Sequence, residues 1–131
     1  MLIKKNGEKM SFVHTDLAAG RWRTLSLMEQ LGNVGSEIDR TINYKKRNLD
    51  QMSQEAFERG LELLDLTIQD PKNITRLREL CRVREVLVDY FMYDNIYGST
   101  DELMHNYFFA FAYAARNIQH QKEIMNKSQM A

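Results

Sequence analysis

Two residues near the end of the chain, Arg116 and His120, have the types and the spacing of an active-site pair. Residues four apart share a face of an α-helix, so the two side chains can meet. Histidine can transfer a proton near neutral pH, and arginine can bind a phosphate group. The alternative is structural, because both residues also suit the negative end of the helix dipole near a helix C-terminus. The structural interpretation is the simpler of the two.

The stretch Arg116-Asn117, followed by His120, resembles the motif of the HEPN domains, a class of helical-bundle ribonucleases. These enzymes carry an arginine, a polar neighbour and a histidine near the end of their last long helix. Three residues separate Arg116 from His120, which is shorter than the usual interval of that class. The resemblance implies a ribonuclease with Arg116 and His120 as catalytic residues, and this is the alternative function.

Acidic residues suggest two further sites, and both would bind metal ions. Glu102 and His105 have the Glu-x-x-His spacing of di-iron bundles, but such sites need a second copy of that motif, which the sequence lacks. An acidic ridge on the second predicted helix could contribute to a magnesium site; it consists of Glu55, Glu58, Glu62 and Asp65. A ridge along one helix is usually a solvated face, so no metal ion or other cofactor is expected.

Composition is typical of one globular domain: 131 residues, of which 44% are hydrophobic and 27% charged. Eighteen basic residues balance eighteen acidic ones, so the surface is not basic throughout, although a local basic patch can still exist. Cys81 is the single cysteine and is predicted to be a small buried residue. With no internal disulfide possible, we expect a cytoplasmic location. No apolar run approaches the length of a membrane span, so no membrane partner is expected.

Charge is unevenly distributed in the middle of the chain. Residues 50–70 carry six acids and one base, and residues 71–86 carry five bases and two acids. Neighbouring antiparallel helices of opposite charge can simply pair along their shared edge. The alternative is a basic surface for nucleic acid or for another protein, with Arg76, Arg78 and Arg82 as the candidate residues.

Arg84 is distinctive because it interrupts an apolar stripe, between Leu80 and Leu87. A guanidinium held against a core needs a partner, since isolated burial would cost several kcal/mol. We predict a buried ion pair from Arg84 to Asp65 or to Glu37. Asp65 is preferred because the second and third helices are joined by a short turn.

Four stretches have the apolar spacing of amphipathic helices. Ser26 with Glu29, and Ser99 with Glu102, have the spacing of capping boxes at the starts of the first and fourth stretches. The predicted helices lie at 26–47, 50–69, 74–93 and 100–122.

The fold class predicted is all-α, as a single antiparallel four-helix bundle. Gly32 and Gly35 lie inside the first helix, where glycine is costly, so we expect a close approach of another helix backbone there, within the bundle rather than between subunits. The domain boundaries predicted are a loose or hairpin-like arm at 1–25, the bundle at 26–125 and a frayed tail at 126–131.

The fourth helix is aromatic on more than one face. Phe109 and Tyr113 lie off its main apolar stripe. A helix that is apolar nearly all round is buried on more than one side. We therefore predict that Phe109 and Tyr113 form a contact between subunits. The alternative is that they pack under the N-terminal arm through Trp22.

Four strings resemble a family of short prokaryotic helical proteins that is known only as uncharacterised: LGNVGSEI, ERGLELLDLTIQDP, LCRVREVLVDYF and YGSTDEL. The predicted architecture is also similar to the small bundles that accompany reverse transcriptases in diversity-generating retroelements. Those bundles form rings and present basic surfaces to nucleic acid, which implies an oligomer with a nucleic-acid-processing partner. We predict a non-catalytic accessory protein that forms a homo-oligomer and binds a further protein or nucleic acid.

Overall fold

The computed structural model describes residues 20–130, and within that range the protein is all-α, with four helices and no strand. The helices are α1 (Leu27–Lys46), α2 (Asp50–Gln69), α3 (Leu77–Met92) and α4 (Asp101–Met130). Two 3₁₀ helices, Arg21–Thr24 and Pro71–Arg76, precede α1 and α3. The predicted fold class is confirmed. The predicted N-terminal hairpin lies outside the described residues.

Helix α1 lies at the centre of the packing, between α2 and α4. Two glycines make the contact with α4 close. A Cβ built on Gly35 would lie 2.4 Å from the Cβ of Phe108, and one built on Gly32 would lie 3.2 Å from the Cα of Ala112. The close approach that these glycines predict is therefore a contact within the bundle.

The starts of α1 and α4 differ in how well the sequence predicts them. Ser26 accepts a hydrogen bond from the backbone of Glu29 (3.1 Å), and the Glu29 carboxylate accepts one from the backbone of Ser26 (2.9 Å), so the first capping box is confirmed. The second is wrong. The Oγ1 of Thr100 accepts from the backbone of Leu103 at 3.1 Å, and Ser99 belongs to the preceding loop.

Helix α3 begins three residues later than predicted, because residues 71–76 form a 3₁₀ helix anchored by a buried asparagine. Asn73 donates hydrogen bonds to the Oε1 of Gln30 (2.9 Å) and to the backbone carbonyl of Thr67 (3.0 Å). At the other end of the chain, α4 continues to Met130 and includes most of the predicted tail.

Residues 21–25 also belong to the packed structure rather than to an arm. Trp22 is buried, and its indole N–H donates to the Oγ1 of Thr67 at 3.0 Å. The side chain of Gln30 donates to the backbone carbonyl of Trp22 (3.0 Å) and to Asp70 (2.9 Å). These buried polar groups satisfy one another, so the network fixes the first 3₁₀ helix to α1 and α2.

Candidate functional site

The outer face of α4 carries two large aromatic side chains in solvent. Phe109 is 48% exposed and Tyr113 is 55% exposed, and their stacked rings have centroids 6.2 Å apart. Phe109 also stacks on His105 at 5.6 Å, and the guanidinium carbon of Arg116 lies 6.0 Å from the Phe109 ring centroid. These four residues, His105, Phe109, Tyr113 and Arg116, form a continuous band that we call the α4 stripe.

A shallow groove of about 420 Å³ runs beside the α4 stripe, between α1 and α4. Arg116 lines one of its edges. The groove exists because small residues from α1 and α4 face each other there, so no large side chain fills the space. These small residues are Gly32, Ser36, Ala112 and Ala115. The α4 stripe and the groove therefore form one surface, with a projecting aromatic pair beside a depression.

The two ends of this surface differ in their balance of charge. At one end a second depression of about 430 Å³ is lined by Asp39, Asp101 and Glu102, against one base, Lys46. The Oδ1 of Asp39 lies 2.9 Å from the Nδ1 of His105. Arg116 lies at the other end, three helical turns beyond His105 on α4, where Glu29 also lines the groove. This polarity along α4 was not evident from the charge counts.

The di-iron interpretation of Glu102 and His105 gains no support from the geometry. His105 faces Asp39, and Glu102 is an exposed residue in the first turn of α4. Within residues 20–130, no three metal-binding side chains come together in a way that could hold an ion.

Arg116 and His120 lie one turn apart on α4, and both are exposed. Neither forms a hydrogen bond or an ion pair with another described residue, and Arg116 instead contacts the ring of Phe109. The structure thus places the two residues on one side of the helix without bringing a described carboxylate or hydroxyl into hydrogen-bond contact with them.

The three candidate arginines before and within α3 have different environments. Arg76 forms an ion pair with Glu79 at 2.8 Å and is therefore engaged within the protein. Arg78 and Arg82 are exposed and have no carboxylate partner among the described residues. The Arg82 guanidinium carbon lies 5.0 Å from the ring centroid of Tyr97, which is a cation–π contact. Arg78 and Arg82 are thus the two that remain available to a partner.

Two tyrosine hydroxyls connect α3 to α4. Tyr107 donates to Glu79 at 2.7 Å, and this bond lowers the pKa of Glu79 below its ordinary value. Burial, together with the same bond, raises the pKa of Tyr107. Tyr90 donates to Asp101 at 2.6 Å; burial and this bond raise the pKa of Tyr90 to about 12. Both hydroxyls therefore stay protonated and hold the two helices together at neutral pH.

The predicted ion pair of Arg84 uses Asp65, with an Nε-to-Oδ1 distance of 2.7 Å. The pair is less buried than expected, since the side chains are 33% and 16% exposed. Glu37 is not a partner of Arg84. Its side chain, only 6% exposed, accepts from Arg59 and from Arg40 at 2.7 Å each, and no local pattern predicts the pair with Arg59.

Cys81 is exposed, so the prediction of a buried cysteine is wrong. The buried residues of α3 are Leu80, Leu87 and Asp89, and Cys81 is turned about 100° from Leu80 on the helix. The apolar stripe of α3 is narrower than the sequence suggested.

No helix within residues 20–130 has both the length and the apolar character that crossing a membrane requires. No protein-family model matches the chain, and neither a curated protein nor a solved structure matches it. Function must therefore follow from the chemistry of these surfaces.

Proposed function

We propose that this protein is a non-catalytic interaction module that self-associates through the α4 stripe and serves as an accessory to another macromolecule. The observation that carries the proposal is the exposure of Phe109 and Tyr113, which present half of each ring to water beside a groove. Large exposed apolar groups next to a depression are characteristic of binding surfaces.

The energetics favour a weak complex rather than a permanent one. A fully buried aromatic side chain removes about 200 Å² from water, so covering the exposed halves of both rings would remove roughly 200 Å² per copy. At about 25 cal/mol per Å², two copies would gain roughly 10 kcal/mol. Association itself costs about 4–15 kcal/mol, so at most about 6 kcal/mol remains and a dissociation constant of tens of micromolar or weaker is expected.

A second copy is a suitable occupant because the surface contains both of the features that a twofold contact needs. In a twofold dimer the same patch lies on both sides, so each projection must find its depression on an identical surface. Here the projecting rings of Phe109 and Tyr113 lie beside the groove that Gly32 and Ala112 leave open.

Sedimentation velocity over protein concentrations from about 1 to 200 µM tests the proposal, since that range brackets micromolar association. The double change Phe109→Ser and Tyr113→Ser should leave a monomer at all concentrations. A matched control changes two other exposed apolar residues, Tyr93→Ser and Ile96→Ser, which lie in the loop before α4. This control should associate like the unmodified protein. A monomeric unmodified protein, or unchanged association of the double variant, would refute self-association through α4.

A second candidate function, binding of nucleic acid, is favoured by the availability of Arg78 and Arg82 on α3. Guanidinium groups without a carboxylate partner can bind phosphates, and the position of Arg82 over Tyr97 fixes one of them in place. Fluorescence anisotropy with a labelled single-stranded oligonucleotide measures this. We expect Arg78→Ala with Arg82→Ala to weaken binding and to reduce its salt dependence. Lys46→Ala with Arg47→Ala removes the same charge at the end of α1 and should have less effect; equal effects of both pairs would contradict a site on α3.

A further inference from the structure

We infer that the second copy binds antiparallel along α4, with Phe109 of one copy opposite Ala112 of the other, and Arg116 opposite Asp39 and His105. This inference rests on the proposed self-association and specifies its geometry. Three independent features of the surface lead to it: the spacing of residues along α4, the sizes of the central pair and the distribution of charge.

The residues of α4 that a second α4 would contact form a seam, whose central members Phe109 and Ala112 are apolar and whose other members are polar or charged. Residues separated alternately by three and four positions lie along one line of a helix that faces a partner helix. On α4 this line begins in the first turn and includes the Phe109 and Arg116 positions of the α4 stripe. Its members are Glu102, His105, Phe109, Ala112, Arg116 and Gln119. All are exposed except Ala112, which is half-buried at the groove.

The sizes of the two central residues favour antiparallel pairing. In a parallel pair, equivalent positions face each other, so Phe109 would meet Phe109, and the groove at Ala112 would stay empty. In an antiparallel pair the two alternating positions of the seam face each other, so each Phe109 ring enters the groove at the other copy's Ala112. Large against small residues is the arrangement that fills space without strain.

Charge leads to the same orientation. The antiparallel register brings Arg116 of each copy to the Asp39–His105 pair of the other, and Glu102 toward Gln119 and the neighbouring His120. A parallel register would place Arg116 against Arg116 and Asp39 against Asp39, which costs free energy. Glu102 and Arg116 are fourteen residues apart, roughly 21 Å along the helix. Since this exceeds the Debye length of about 8 Å at physiological salt, the two ends act separately.

The size of the contact agrees with a reversible dimer. Each helix, about 10 Å wide over a length of roughly 21 Å, presents a face of about 200 Å² in projection. Stable interfaces bury about 800 Å² per partner, so this contact is much smaller than a stable interface and fits a weak, transient dimer. Weak association, sensitive to single charges at the two ends, follows from that size.

An exchange of charges between Asp39 and Arg116 tests the register. The single changes Asp39→Arg and Arg116→Asp each place like charges at both ends of an antiparallel dimer, so each should weaken dimerisation at least tenfold at low salt. The double variant restores opposite charges at both ends and should dimerise like the unmodified protein. An equimolar mixture of the two single variants should also dimerise, as a heterodimer. In a parallel dimer, positions 39 and 116 face their own counterparts, so each single variant still has like charges facing each other. Its dimerisation should therefore differ little from that of the unmodified protein.

A distance measurement checks the register without changing any charge. In a Cys81→Ser background, a spin label at Gln119→Cys should lie roughly 25 Å from its counterpart in an antiparallel dimer, from seventeen residues at 1.5 Å each. A parallel dimer would bring the labels to about 10 Å, the usual distance between packed helices. Far-UV circular dichroism identifies any variant that has lost its helices.

The outcomes separate this inference from the self-association on which it rests. A monomeric unmodified protein would overturn both. A dimer that Phe109→Ser with Tyr113→Ser abolishes, but that ignores the charge exchange or shows the short label distance, would overturn the antiparallel register alone. Loss of dimerisation by both single variants, with recovery in the double variant and the mixture and the long label distance, would establish it.

Discussion

Replacing Gly35 by alanine perturbs a close contact between α1 and α4. A Cβ at that position would lie 2.4 Å from the Cβ and 3.2 Å from the Cγ of Phe108. Carbon atoms attract each other best at about 3.5–4.0 Å, so α1 and α4 would have to separate by about 1 Å or more. The Cβ of Phe108 is fixed by the backbone of α4, and no change of rotamer can relieve the clash.

Two opposing effects set the change in the free energy of unfolding that Gly35→Ala causes. Alanine is more favourable than glycine in a helix interior by about 1 kcal/mol. Inserting a methyl group into a packed contact costs about 1–3 kcal/mol, and a clash with an atom fixed to the backbone belongs at the upper end. We expect Gly35→Ala to lower the free energy of unfolding by about 2 kcal/mol. In a chain of this length that corresponds to a fall of roughly 8 °C in Tm.

Gly60 provides the matched control, because it is also a buried glycine inside a helix. A Cβ there would lie 3.2 Å from the Cδ1 of Ile38, which is the mobile end of a side chain. Ile38 can move by the few tenths of an ångström that are needed, so the gain in helix propensity should dominate. Gly60→Ala should therefore remain within about 1 kcal/mol of the unmodified protein, on the stabilising side.

Urea unfolding, followed by circular dichroism at one fixed protein concentration, measures both variants. The concentration must be the same throughout because self-association would add to the apparent stability. If Gly35→Ala proved as stable as the unmodified protein, or if Gly60→Ala proved equally destabilising, the close approach at Phe108 would not be what requires a glycine at position 35.

Burial alone would raise the pKa of Glu37, but hydrogen bonds from Arg59 and Arg40 outweigh it and lower the pKa below the usual 4.5. The stability that the ionised Glu37 contributes through these two arginines is thus present above about pH 4.5 and is lost as the pH falls through the lowered pKa. Glu37→Gln should lower the free energy of unfolding by about 2 kcal/mol at pH 7 and should reduce the loss of stability at acid pH. Cys81 should react with a thiol reagent in the folded protein about as fast as an exposed model thiol, because its side chain is exposed. A much slower reaction would contradict the exposure of Cys81 in the structure. The purified protein should leave labelled RNA intact, and cleavage that Arg116→Ala with His120→Ala abolishes would establish the ribonuclease alternative instead.

Local patterns predicted α1 and α2 to within one residue because their apolar stripes are regular and Ser26 begins α1 with a complete capping box. The start of α3 could not be predicted in the same way. Asn73 looks like a helix cap in sequence, but its partners Gln30 and Thr67 lie on other helices, and Gln30 is 43 residues away. A hydrogen bond between residues so far apart in the chain leaves no signal in the local sequence. Apolar periodicity alone therefore predicts that α3 begins at residue 74 rather than at Leu77.

In the candidate site, too, features set by nearby residues could be predicted and features set by the packing of distant helices could not. Asp65 could be named as the partner of Arg84 because a short turn joins the two helices, so the choice depended on sequence proximity. The partner of Glu37 depended on how α2 is rotated against α1, and the pair with Arg59 follows only from the folded structure. Likewise, helical geometry showed that Phe109 lies off the main stripe, whereas the adjacent groove depends on how closely two helices approach.

That approach connects the fold to the proposed function. Gly32 and Ala112 are small enough for α1 and α4 to pack nearly in contact, and Phe108 fills the space over Gly35. Because Phe108 occupies the interior, its neighbour Phe109 is turned by about 100° and must face outward. The same small residues that allow the helices to close also leave the groove beside that exposed ring. One close contact thus creates both halves of a self-complementary surface, so larger residues at Gly32 or Ala112 should weaken self-association even where the bundle still folds.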